Sequence, residues 1–160
     1  MKLSIKSLYA VRALFHMAYH APSSTTRVAH IAEAEGISAG FLDQIFQALR
    51  KAGVVGSKRG PQGGYFLARP LDAITLGEIV RVIEGETEHG LCKAPREEAE
   101  GLPTEAPPEA TGLMVTEEVW REVAGQIDAI LDAYTLQDLV SRGQQQGLAR
   151  EDFSSFIYII

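Results

Sequence analysis

The chain has 160 residues, 46% hydrophobic and 22% charged, with one cysteine and a formal net charge of −6. That is enough chain for one domain with a real core, and no apolar run approaches the roughly 18 residues that span a bilayer. Cys92 alone excludes an intrachain disulfide framework and a Cys-only zinc or iron–sulfur site within one chain.

The charge is unevenly spread. Residues 1–84 carry ten Lys/Arg against six Asp/Glu, a net of +4; residues 85–160 carry five against fifteen, a net of −10. A basic first half and an acidic second half predict that the first half meets a polyanion.

In chain order, Ile5, Leu8, Val11, Leu14, Phe15, Ala18 and Tyr19 recur at helical spacing and predict a first helix with that stripe inward. Lys6, Arg12, His16 and His20 fall off the stripe, so the segment reads as an amphipathic helix and not a signal peptide. The expected location is the cytoplasm. Thr26 is expected to cap a second helix that ends at Gly36, and Ser38 a third with Phe41, Leu42, Ile45, Phe46 and Leu49 inward. Helices joined only by Gly36-Ile-Ser38 must cross steeply, as in a helix-turn-helix. The outer face of the third helix then carries Gly40, Asp43, Gln44, Gln47 and Lys51, with Arg50 adjacent, and glutamine amides can bridge a donor–acceptor pair on a base edge.

Two β-prone runs follow, Val54-Val-Gly-Ser-Lys58 and Gly64-Tyr-Phe-Leu-Ala68, around a Gly/Pro loop. A hairpin in that place is a wing, with Lys58 and Arg59 on a projection thin enough for a minor groove. The loop lacks the spacing of a nucleotide-binding motif. Thr75-Leu-Gly-Glu78 reads as a capping box opening a fourth helix that packs the wing against the core.

From 85 to 112 the periodicity stops; four of the seven prolines, seven acidic residues and no aromatic fall here, an acidic loop. Thr116 is expected to cap a long helix. Its Trp120, Val123, Ile127, Ile130 and Tyr134 form a seam with alternating spacings of three and four, suited to a second copy of the same helix. Thr135 caps a shorter helix to about Arg142. The division expected is a winged helix-turn-helix over 1–84, the loop 85–112, dimerisation helices over 113–142 and an apolar tail over 143–160. The fold class expected is mostly α with a small β-hairpin wing.

These residues resemble the Rrf-two family of bacterial winged-helix regulators, the IscR/NsrR/CymR type. The resemblance covers residues 1–85 closely and the helix near 115–140 in outline. It is carried by Tyr9-Ala-Val-Arg-Ala-Leu14, Ile31-Ala-Glu33 with Gly36-Ile-Ser38, Phe41-Leu-Asp-Gln-Ile-Phe46 and Leu49-Arg-Lys-Ala-Gly53. Further matches are Arg59-Gly-Pro-Gln-Gly-Gly-Tyr65, Leu67-Ala-Arg-Pro70 and Ile74-Thr-Leu-Gly-Glu-Ile79. It implies a homodimer, joined by the long helix, that binds an imperfect palindrome in promoter DNA and represses or modulates transcription. By motif position the DNA contacts fall on Ser38, Phe41, Gln44 and the wing from Arg59 through Gly60 and Gly63 to Gly64, with Tyr65 closing the motif. Cluster-binding members carry three cysteines between the fourth and fifth helices; here only Cys92 stands there, so an iron–sulfur cluster is not expected.

His16 and His20, four apart, have a chelating spacing but no third ligand in sequence, and His89 with Cys92, near Glu86 and Glu88, is a second metal candidate. Cys92 is also a candidate thiol sensor, although an acidic loop disfavours its thiolate. No nucleophile–base arrangement or paired catalytic carboxylates is present, so no enzyme is expected. A rival of another class is a protein-interaction module in which the winged helix docks a protein and the acidic half a basic partner, without binding DNA.

Overall fold

The computed structural model describes residues 3–61, 63–85 and 111–150. Three helices, α1 (Ile5–His20), α2 (Val28–Glu35) and α3 (Ala39–Lys51), precede a hairpin of β1 (Val55–Lys58) and β2 (Gly64–Leu67). Then come α4 (Leu76–Glu84), a long α5 (Thr111–Asp132) and α6 (Leu136–Gln145). The strands are antiparallel, with Val55 opposite Leu67 and Lys58 opposite Gly64. This is the mostly helical, winged arrangement expected.

The core is built where the periodicities converge. Leu42, Ile45, Phe46 and Leu49 of α3 are buried against Ala10, Ala13, Leu14 and Met17 of α1, with Ile31, Val54, Ile74, Ile79 and Leu136 closing the cluster. Burying side chains of this size contributes about 1.5–3 kcal/mol each. Gly36 takes φ +64° at the end of α2, the left-handed value that lets the chain turn into α3 within two residues.

The inner face of α1 departs from the expected stripe. Ile5 and Leu8 are 54% and 47% exposed, while Ser7, Ala10, Ala13 and His16 are buried. Small residues make the buried face because α3, α4 and α6 all pack closely on this helix. His16 is inside the fold, not on its solvated face.

Helix starts also differ. Thr26 does not cap α2; Arg27 holds that place without a side-chain cap bond. Thr26 instead pairs with Tyr65, each N–H donating to the other's carbonyl at 2.8 and 2.9 Å, which sews the chain before α2 to the wing. Of the box at Thr75, the Thr75 hydroxyl caps Glu78 N–H, but Glu78 is turned to an ion pair with Arg69. A complete box stands at Thr135 and Asp138. The long helix begins at Thr111, five residues before the expected Thr116, whose hydroxyl donates to the Gly112 carbonyl inside the helix.

Contacts of α4 are chiefly with α1, α3 and α5; the wing is held by the Thr26–Tyr65 bridge and by Tyr65 stacked 4.7 Å from Phe46. Although the sequence groups α6 with α5, α6 packs on α1. Gly143 makes this contact close, since a Cβ there would meet Tyr19 Cε2 at 2.9 Å, and the Tyr19 hydroxyl donates to the Leu148 carbonyl at 2.6 Å. The acidic segment 86–110, with His89 and Cys92, and the tail from 151 lie outside the described residues.

Candidate nucleic-acid interface

The Ser38 hydroxyl accepts from Phe41 N–H at 3.3 Å, capping α3 at its exposed end. That cap removes one of the orphan donors of the first turn and fixes where the helix begins. From there Gly40, Gln44, Gln47 and Lys51, at steps of four, three and four, lie exposed on one helix face. Phe41 is turned partly inward: its ring is half-buried and meets Tyr9 edge-on at 5.8 Å. It anchors the start of α3 on α1, so the polar face beyond it is rigidly presented.

The wing follows directly, with Arg50 of α3 reaching the Ser57 hydroxyl at 3.5 Å. Lys58 ends β1 and Arg59 and Gly60 extend beyond the strand, all exposed. Gly60 has φ +112°, a turn conformation open to glycine, and a Cβ on Gly63 would lie 2.5 Å from the Lys58 carbonyl. The loop is tied back by Arg27, whose guanidinium donates to the Pro61 carbonyl. Gln62 lies outside the described residues. Tyr65, which closes the motif, turns its ring onto Phe46, and its backbone carries the bridge to Thr26. Arg27 has no signal in the sequence, and Arg50 and Thr26 are read there as a neighbour of the outward face and a helix cap, because only the folded register brings all three to the wing.

The long helix presents a second surface. Val115, Val119, Trp120 and Ile130 are 61%, 53%, 55% and 59% exposed, with Tyr134 partly so. Val123 and Ile127 of the expected seam are half-buried, and Ala124 is buried.

The histidine candidates are drawn into the α1–α2 junction. His16 Nδ1 lies 3.2 Å from Glu35 Oε1, and Glu35 also accepts from Arg12 at 2.9 Å. The His16 ring is 4.7 Å from that of His20 and 5.5 Å from that of His30. Even so, no group of three or more His, Cys, Asp or Glu among the described residues could hold a metal ion. With one cysteine per chain, the donor set does not fit a cluster held by three or four thiolates.

The family model described as "Iron-dependent Transcriptional regulator", Rrf2, matches residues 3–142. IscR of Yersinia pseudotuberculosis, an HTH-type transcriptional regulator, is 33% identical over 141 residues, covering 88% of this chain and 80% of its own. IscR of Aliivibrio salmonicida is 34% identical over 146 residues, covering 91% and 81%. Among solved structures, T. potens IscR superposes with a TM-score of 0.69 at 34% identity over 94% of both chains. CymR, the global cysteine regulator of B. subtilis, gives 0.68 at 31% identity over 89% of this chain and 98% of its own. With the family model spanning residues 3–142 and relatives at a third identity over most of both chains, the chain belongs to the Rrf2 family of winged-helix, DNA-binding transcriptional regulators.

Proposed function

We propose that the protein works in the cytoplasm as a homodimer that binds a palindromic operator and represses or modulates transcription, without an iron–sulfur cluster. In each copy α3 enters the major groove and the wing tip the neighbouring minor groove. The observation that carries this reading is the exposed row Gly40, Gln44, Gln47 and Lys51 on α3, followed at once by exposed Lys58 and Arg59. Gly40 permits close approach, the glutamines can pair with base edges, and the cations supply the phosphate and groove attraction that dominates affinity.

The second copy is argued from α5. A stripe of Val115, Val119, Trp120 and Ile130 this exposed is out of place in water, and the same helix of a second copy has the matching spacing to cover it. Two copies related by a two-fold axis match the two halves of a palindrome. The test is binding of the full chain to promoter duplexes alongside sedimentation. Saturable binding of a dimer is expected; a chain that binds no duplex at low salt contradicts this reading and leaves the protein-interaction one.

A further inference from the structure

A recess of about 340 Å³ opens beside the wing, walled by Pro22, Ser23, Ser24 and Thr25 and lined across from them by Lys58, Phe66 and Leu67. Its walls follow from the register. Tyr65 packs inward on Phe46 and Val55 is buried, so their alternating neighbours Gly56, Lys58, Gly64 and Phe66 share the outer face. Thr26 pairs beside β2, and a Cβ on Gly64 would meet the Thr26 carbonyl oxygen at 2.6 Å, so a bare glycine lets the α1–α2 connection run against the strand. A Cβ on Gly56 would meet the Phe66 ring at 2.3 Å, and its absence lets that ring lie over β1.

The lining is one-sided in charge. It holds a lysine and three hydroxyl residues and no carboxylate, and no ion pair among the described residues takes up Lys58. A lysine and hydroxyl residues lining one recess that is open to solvent give it the chemistry of an oxyanion site.

We propose that this recess seats a phosphate group, and that its source is the sugar-phosphate backbone of the bound duplex at the flank of the wing. The inference rests on the reading that the wing meets DNA. It separates two neighbouring cations: Lys58 ends β1 opposite Gly64 at the recess, while Arg59 stands beyond the strand. Lys58 then positions the duplex without reading sequence, and Arg59 enters the groove.

The experiment titrates the full chain with a duplex selected from a random pool and with a scrambled duplex, across salt concentrations. Lys58→Ala should weaken both duplexes equally and lower the slope of log K against log salt by about 0.9. Ser24→Glu, which puts a carboxylate on the exposed lip, should also weaken both equally. Inorganic phosphate added to the protein alone, followed through the amide resonances of Ser23 to Thr25, separates the sources. A changed slope with no response to millimolar phosphate assigns the site to the duplex. A saturable response that Lys58→Ala abolishes, with an unchanged slope, keeps the phosphate site and moves its source to free phosphate, overturning the assignment to DNA. Unchanged DNA binding and no phosphate response, in variants whose melting shows them folded, overturns the inference altogether. A wild-type chain that binds neither duplex contradicts the DNA reading itself, and the phosphate titration still decides the recess.

Discussion

Arg81 of α4 grips Asp132, the last residue of α5, at two points: Nη2 donates to Oδ1 at 2.7 Å and Nη1 to Oδ2 at 3.2 Å. Thr75, the cap of α4, donates to the same carboxylate at 3.1 Å. Gly77 makes room, since a Cβ there would lie 2.1 Å from Asp132 Oδ1. The end of the long helix is thereby fastened to the helix-turn-helix domain.

This joint gives a prediction with a sign in pH. The hydrogen bond from Arg81 holds the Asp132 carboxyl below its ordinary range, against the opposing effect of burial. Stability from a depressed carboxyl is present above its unfolded value, near 4, and is lost as pH falls through the folded value. The same hydrogen bond raises the Arg81 guanidinium, whose contribution persists throughout the acid range, so the acid loss belongs to Asp132. Both groups are partly exposed, so Asp132→Asn should cost about 0.2–1 kcal/mol at neutral pH. In denaturant unfolding at several pH values, that difference should shrink below about pH 4; a difference that grows on acidification contradicts the assignment.

Arg59→Ala should weaken operator binding by about 1–3 kcal/mol at fixed salt, the loss of a groove contact, with melting and dimerisation unchanged. Arg59 is exposed and lies outside the core cluster, so a folding defect is not expected. Equal affinity of variant and wild type on a selected operator would remove Arg59 from the interface.

Ile130→Asp should give folded monomers. Ile130 is 59% exposed in the single chain, so a carboxylate there leaves the chain's own core intact and burdens only the proposed seam. Sedimentation decides; an intact dimer means that α5 is not what joins the copies.

Legibility in the sequence was a matter of how local the cause is. The α3 face was readable because Ser38 caps it and Leu42, Ile45, Phe46 and Leu49 recur at helical spacing, so the outward row follows by elimination. The hairpin was readable from its Gly/Pro loop. By contrast, Thr26 has the chemistry of a cap but a better use as strand partner to Tyr65, a residue far along the chain. His16 looked solvated because its partner Glu35 sits on another helix. Ile5 and Leu8 looked buried because periodicity marks an apolar face without saying whether this chain covers it. The inward turn of the Tyr65 ring depends on strand register, which the wing motif alone does not give.

Cys92→Ser should leave DNA affinity unchanged, and anaerobically prepared protein should be colourless. One thiolate per chain is short of what a cluster of the usual kind requires, and the net charge of −5 over residues 85–112, two basic against seven acidic, opposes an anionic cluster. Stoichiometric iron and sulfide with visible absorbance lost in Cys92→Ser would contradict this. Affinity lost on oxidation and restored by reductant would instead make Cys92 a thiol sensor.

The central claim is that two copies present α3 and the wing to one duplex, and selection from a pool of random duplexes tests it most directly. The account predicts enrichment of an inverted repeat whose half-sites lie one helical turn, about 10–10.5 base pairs, or a multiple of it apart. It further predicts that Gln44→Ala and Gln47→Ala relax the preference within each half-site. Enrichment of a single unrepeated site, or of no sequence at all, would contradict it.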